Sequence, residues 1–324
     1  MSDLKKYKKD FLLKALKDML LIRRFEEKTA QMYGLRKIGG FLHLYNGQEA
    51  VAVGAVAAVD LKTDYLLTSY RDHGHALAVG MKPESIMAEM FGKITGCARG
   101  KGGSMHMFDV ERHFLGGNGI VGGQIPMATG VAFKQMYDQD GGVTLCFFGD
   151  GAIHQGAFHE SLNYAKIWNL PVIYIVENNH FGMGTAVSRV SGVDDFSLKA
   201  AGYDLQGKVI NGMDFLEVYE GISEVVKDSR KNGNAWLLDI KTYRYKGHSA
   251  SDPAKYRTKD ELESYKKQDP IIKLKSQMIE AKLITEDDFK DFDEEIKKAV
   301  QDAVDFADKS EEPALHTIYE DILA

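Results

Sequence analysis

Apolar positions along the chain fall into two registers. Leu13, Leu16 and Leu20 recur at helical spacing within a stretch from about Asp10 to Tyr33, the pattern of a helix with one buried face. The segment GLRKIGGF breaks it. GQEAVAVGAVAAV then predicts a second helix whose Ala and Gly content implies close packing under other elements. VTLCFF (143–148) and LPVIYIVENN (170–179) instead carry continuous apolar runs rich in β-branched and aromatic residues, the signature of strands buried on both faces of a parallel sheet. Between them Phe158, Leu162, Ala165 and Trp168 lie at helical spacing, so the region predicts a β-α-β unit with right-handed crossover.

Downstream, DFLEVYEGISEVV predicts a helix, AWLLDIKTY a strand, and residues Arg244 to Asp260 a loop. The end of the chain is helical. Asp269 before Pro270 suits an N-cap followed by the first helical position, and Thr285 opens an acidic first turn. Gly92 to Gly130 shows no period, yet it is too apolar for disorder, and so long an irregular stretch in a compact domain points to function. The expected fold class is α/β: a mostly parallel sheet with helices on both faces. It forms a single domain over 1–324, with a core of about 1–260 and a helical extension over about 261–324.

What ends the two buried strands is chemically loaded. In FFGDGAIHQG the acid Asp150 stands between two glycines at a strand's carboxyl end, the edge where ligands bind in open α/β sheets. Capping of the following helix is the competing reading. The second strand ends in Asn178 and Asn179, on the same sheet edge. A carboxylate, an amide oxygen and free carbonyls suit a hard cation such as Mg²⁺, which commonly takes one or two protein oxygens plus substrate phosphates.

Composition narrows the alternatives. The formal net charge of −6 argues against nucleic acid or an anionic membrane as a main partner. No apolar run approaches the roughly 20 residues a membrane span needs. Two cysteines, Cys97 and Cys146, make no disulfide framework. The chain reads as cytoplasmic, and a matured organellar protein would look the same. GNGIVG (117–122) matches a dinucleotide fingerprint, but ERHFLG before it is a poor strand. GCARGKGG lacks the spacing and the Ser or Thr of a phosphate loop. His43, His73, His75, His106 and His248 lie in Gly-rich or aromatic contexts, far in sequence from the cysteines that a closed zinc set would want.

GDG followed, after the helix and strand, by NN resembles the thiamine diphosphate signature. FLHLYNGQEA, SYRDHGHALAVG, GKGGSMHMF, GGNGIVGGQIP and TYRYKGHSASDPAKYRT each resemble, in order, segments of the α subunit of the 2-oxo acid dehydrogenase E1 component. The resemblance spans nearly the whole chain and is greatest to the pyruvate dehydrogenase branch; GDGAIHQGAFHE is also similar to acetoin dehydrogenase.

This resemblance implies a thiamine diphosphate-binding fold, with Mg²⁺ held by Asp150, Asn179 and the backbone carbonyl of Phe181. The family usually has Tyr at the last position, a harmless change where only the carbonyl ligates. It implies that Tyr70, Arg71, Gly151 and Ala152 contact the diphosphate, that Gly119 and Val121 offer backbone to the aminopyrimidine, and that Arg244 and His248 close over the site from a mobile loop. His248 is the implied proton donor in acyl transfer to a lipoyl domain of E2, and His43 a second candidate near the reacting carbon.

The glutamate that such enzymes place on a separate pyrimidine-binding module is not found in the chain, which implies a β subunit in an α2β2 assembly. Pyruvate is the implied substrate, with acetoin or branched-chain 2-oxo acids as alternatives. A catalytically silent scaffold or regulatory homologue is the reading from another class. Ser249 matches a position phosphorylated in eukaryotic relatives, whereas Lys255 replaces another.

Overall fold

A computed structural model describes residues 4–322, so the ends of the expected 1–324 unit lie outside the described residues. Six parallel strands form the central sheet: β1 (Tyr65–Ser69), β2 (Phe114–Asn118), β3 (Thr144–Gly149), β4 (Val172–Asn178), β7 (Gln206–Asn211) and β8 (Trp236–Lys241), in the order β2-β1-β3-β4-β8-β7. A two-stranded hairpin, β5 (Phe181–Gly182) with β6 (Thr185–Ala186), follows β4. The continuous apolar runs have a simple cause. Successive strand residues point to opposite faces, so Leu145 and Phe147 of β3 enter one core while Cys146 and Phe148 enter the other, and all are fully buried.

One face is covered by α1 (Lys9–Gly34), α2 (Glu49–Ala57) and α7 (Phe215–Asn232), the other by α5 (Gln124–Asp138) and α6 (Gly156–Ile167). The short helices α3 (His73–Ala78) and α4 (Pro83–Met90) follow β1. At the end come α8 (Lys259–Lys266), α9 (Pro270–Glu280) and α10 (Glu286–Lys309). α10 packs on α1 and α4, burying Val300, Ala303, Val304 and Ala307. Asp269 caps α9 by accepting from the backbone of Ile271 and Ile272 at 3.0 and 3.2 Å, and Thr285 with Asp288 closes a full capping box on α10.

The predicted close packing of α2 is borne out. Every residue from Glu49 to Ala55 is buried, and a Cβ on Gly54 would stand 2.7 Å from Val218 Cγ1 and 3.2 Å from the Tyr219 backbone nitrogen of α7. A backbone atom cannot swing aside. Gly54→Val is therefore expected to destabilise the fold by about 3 kcal/mol, the upper range for overpacking, read as a lower urea midpoint; an unchanged midpoint would show that the two helices separate freely.

Three strands escape the sequence pattern. ERHFLG, read as a poor strand, leads into β2, an edge strand that pairs with β1, bridges back to Asp109 through Phe114, and carries Gly116 and Gly117. Its backbone is extended because the β1 ladder holds it, and packing of this kind overrides propensity. β1 is short and was not singled out. β7 is the opposite edge, mostly exposed, so it carries no apolar run to recognise. The aperiodic stretch 92–130 contains β2 and the start of α5. Trp168, placed on the helix face by spacing, is 43 % exposed.

Candidate active site

All six strands run the same way, so their carboxyl ends share one edge. β1 connects outward to β2, while β3 lies on its other side. The crevice between β1 and β3 is thus a topological switch point, where such sheets bind ligands. A cavity of ≈ 330 Å³ opens there, walled by the end of β1 and the residues after it (Ser69, Tyr70, Arg71), by the segments after β3 (Asp150, Gly151, Ala152) and β4 (Asn179, Phe181) and by Arg244 and His248 after β8.

One end of the cavity gathers oxygen atoms around Asp150, Asn179 and Phe181. Burial pushes the Asp150 carboxyl up to about 6, with Arg244 opposing the shift. The capping alternative fails: Asp150 makes no side-chain cap bond, and α6 begins after Gln155. Of the two asparagines only Asn179 faces the cavity. Asn178, one residue earlier and so on the opposite side, donates to Asp239 at 3.0 Å.

Arg244 Nη1 donates to Asn179 Oδ1 at 3.1 Å and to the Phe181 carbonyl at 3.2 Å. Two of the three expected metal oxygens therefore already converge on a single cationic group. The guanidinium's other N–H groups go to the carbonyls of Lys246 and Met183 and to the Tyr256 hydroxyl, at 3.3, 3.0 and 2.9 Å. Among the described residues no group of three or more His, Cys, Asp or Glu side chains could hold a metal, so the zinc reading has no donor set there.

The other end carries positive charge and histidines. Arg71 is buried, donates to the carbonyls of Leu44 and His248 at 2.6 and 2.8 Å, and is pulled down to about 10 by burial and Arg244, still a cation at neutral pH. His43 lies outside the cavity wall but packs on Tyr70 (4.4 Å between rings) and His248 (5.1 Å). Burial, then Arg71, pushes His43 down to about 3 and His248 to about 4. Both imidazoles are therefore neutral at pH 7, chiefly because burial disfavours the charged form, with the two guanidiniums adding to it.

The five histidines do not form one set. His73 contacts Glu26 and Ser104 in the core; burial alone would lower it, but Glu26 holds it above the ordinary value. His75 is buried 3.4 Å from Glu177, and His106 is exposed. Gly119 is not on the cavity wall, whereas Val121 and Gly122 are; a Cβ at Gly119 would meet the His106 ring at 3.2 Å. Gln48, Gln124 and Glu177 also line the cavity, and sequence reasoning missed them. Gln48 was detectable in principle as a polar residue at the mouth of an apolar helix.

Neither rival glycine motif gains support. GNGIVG does follow a strand and precede a helix, but β1 separates β2 from β3, unlike the adjacent strands of a dinucleotide unit, and the packing partner of Gly117 is the Asp72 carboxylate. In GCARGKGG the amides of Ala98, Gly100, Gly102 and Gly103 all donate to Glu89, so the protein's own carboxylate fills that anion nest. The loop expected to be weakly held is well tied. Asp252 accepts from the amides of His248 and Ala254 at 2.7 and 2.8 Å, Arg257 donates to the Arg244 and Tyr245 carbonyls, and Tyr256 packs on Phe181. Among the described residues no helix is long and apolar enough to cross a membrane.

A parallel α/β sheet with a cavity at its switch point, lined by two acids and two arginines, defines the class: an α/β fold that binds its ligand at the carboxyl edge of the sheet. The dehydrogenase E1 component family matches residues 17–316, and the chain belongs to that family. It is 47 % identical over 319 residues to the pyruvate dehydrogenase E1 component subunit alpha of Rickettsia bellii (strain RML369-C), covering 98 % of both chains. The protein of the same name from Rhizobium meliloti (strain 1021) is 49 % identical over 318 residues, with 98 % of this chain and 91 % of the relative covered. That from Zymomonas mobilis subsp. mobilis (strain ATCC 31821 / ZM4 / CP4) is 46 % identical over 314 residues, with 96 % and 88 % covered.

Proposed function

We propose that the chain is the α subunit of a thiamine diphosphate-dependent pyruvate dehydrogenase E1, acting with a β subunit in an α2β2 assembly and passing the acyl group to the lipoyl domain of E2. The observation that carries this reading is the convergence of Asn179 Oδ1 and the Phe181 carbonyl on one cationic donor, beside the desolvated Asp150 carboxylate. Those three oxygens would hold Mg²⁺, which favours hard oxygen ligands alongside phosphate. The diphosphate would lie against Tyr70, Arg71, Gly151, Ala152 and Arg244. Of Gly119 and Val121, Val121 lines the cavity, which supports it as the one whose backbone would meet the aminopyrimidine. When bound, thiamine diphosphate supplies the electron sink that lets a 2-oxo acid lose CO₂.

The protein's part is orientation and charge. Arg71 and Arg244 set a positive potential suited to phosphate and carboxylate oxygens. Burial, reinforced by these guanidiniums, keeps His43 and His248 neutral, so in the free site each imidazole can offer one N–H without bringing charge. Anionic ligands beside the guanidiniums oppose that shift and restore His248 as a proton donor toward the lipoyl thiolate. In this reading residues up to about 260 form the cofactor-binding core and the last three helices extend it.

The testing experiment co-expresses the chain with its β subunit and measures decarboxylation across pyruvate, branched-chain 2-oxo acids and acetoin cleavage. Pyruvate is expected to dominate in kcat/KM by at least about tenfold, the discrimination that one or two methylenes provide. Preference for a branched acid or acetoin would move the assignment to those alternatives, and absence of all turnover with intact assembly would favour the silent scaffold.

A further inference from the structure

Gln48 stands immediately before α2 and is fully buried, and no part of the reading above uses it. Its side chain makes two distinct statements. Asn179 Nδ2 donates to Gln48 Oε1 at 3.0 Å, and Gln48 Nε2 is buried with no hydrogen-bond partner. Both residues line the cavity that also holds Asp150, Arg71 and Arg244.

The first contact fixes the Asn179 amide. Its NH₂ is committed to Gln48, which leaves Oδ1 to face the Arg244 guanidinium at 3.1 Å and any cation that takes that place. An inverted Asn179 amide would set two N–H donors against Arg244 and bring its oxygen against the Gln48 oxygen, so inversion is disfavoured from both sides. The same pairing fixes Gln48 in turn, since a flipped Gln48 would oppose NH₂ to NH₂. Its own NH₂ is thereby left without a partner in a buried position, which is unfavourable for a polar donor. A cavity flanked by Arg71 and Arg244 attracts anions, and an anionic oxygen is the acceptor that would satisfy this donor.

We infer that Gln48 is a positioning residue that holds Asn179 in its metal-binding orientation and, through Nε2, a direct hydrogen-bond donor to the diphosphate bound beside that metal. The inference rests on the proposed thiamine diphosphate site and deepens it, because one side chain then couples the cation half of the site to the anion half.

Two substitutions in the full chain co-purified with its β subunit separate the roles. Gln48→Glu keeps an oxygen toward Asn179 but turns the donor into a carboxylate. Gln48→Met has similar length and loses both functions. Mn²⁺ affinity is read by electron paramagnetic resonance without cofactor, and thiamine diphosphate affinity by calorimetry at saturating Mn²⁺, with thermal unfolding as the check on folding.

Gln48→Glu is expected to leave Mn²⁺ binding at least as tight as in the wild type, since the added carboxylate attracts the cation, while weakening thiamine diphosphate at least about tenfold, the scale of a charge-assisted hydrogen bond. Gln48→Met is expected to weaken Mn²⁺ about 10- to 100-fold, the effect of losing an outer partner of a ligand. Wild-type thiamine diphosphate affinity in Gln48→Glu would overturn the donor role, and unchanged Mn²⁺ affinity in folded Gln48→Met would overturn the positioning role. If pyruvate, titrated alone, loses affinity in Gln48→Glu while thiamine diphosphate does not, the donor serves the substrate carboxylate and the diphosphate assignment is overturned. Failure of the wild-type complex itself to bind thiamine diphosphate with Mn²⁺ would instead remove the proposed cofactor site.

Discussion

Asp150→Ala is expected to weaken metal-dependent thiamine diphosphate binding at least about 100-fold, a loss of roughly 2.7 kcal/mol or more, while the chain folds normally. The first half follows from charge: Asp150 is the one carboxylate in the proposed oxygen set, and Asn179 and the Phe181 carbonyl are neutral. A divalent ion held by neutral oxygens alone would face Arg244 and Arg71 without an anionic protein ligand, and like charges at close range in a low dielectric are costly. The second half follows from burial. The carboxyl is pushed up to about 6 because its ionised form is desolvated, so removing it relieves a penalty and leaves the cores untouched. Titration of the folded variant with cofactor at several Mg²⁺ concentrations is the measurement. Wild-type affinity and wild-type Mg²⁺ dependence would mean that the metal, if bound, lies elsewhere.

The isolated chain is expected to turn over pyruvate at least about 10³-fold more slowly than the assembly, even with saturating cofactor and Mg²⁺. General acid–base catalysis by a positioned side chain contributes about 10²–10⁴-fold, and the base expected from the resemblance is a glutamate on the partner module. Glu177 is the glutamate that lines the cavity, yet it is committed elsewhere: the Tyr45 hydroxyl donates to it and His75 lies 3.4 Å away on the buried side. Steady-state assays of the chain alone and after addition of the β subunit decide this. Near-full activity from the chain alone would place the base within it, with Glu177 the first residue to substitute.

Read without coordinates, the sequence determined those features whose causes are local. The buried strands β3 and β4, the α6 crossover between them, the caps at Asp269 and Thr285 and the tight face of α2 all follow from periodicity, side-chain branching and capping chemistry within a few residues. Asp150 and Asn179 were legible for the same reason: a parallel β-α-β unit brings both strand ends to one edge without further information.

What depends on contacts between distant segments was decided only by the tertiary structure. β2 is a strand because β1 pairs with it, not because FLGGN favours extension. His43 meets His248 across some 200 residues of chain, and both lose their charge to burial and, after it, to Arg71 and Arg244, an outcome that no local pattern encodes. The same holds for Gln48. Its amide oxygen lies 3.0 Å from Asn179, 131 positions away, and hydrogen-bond geometry at that range exists only once the sheet edge and the start of α2 have been packed together.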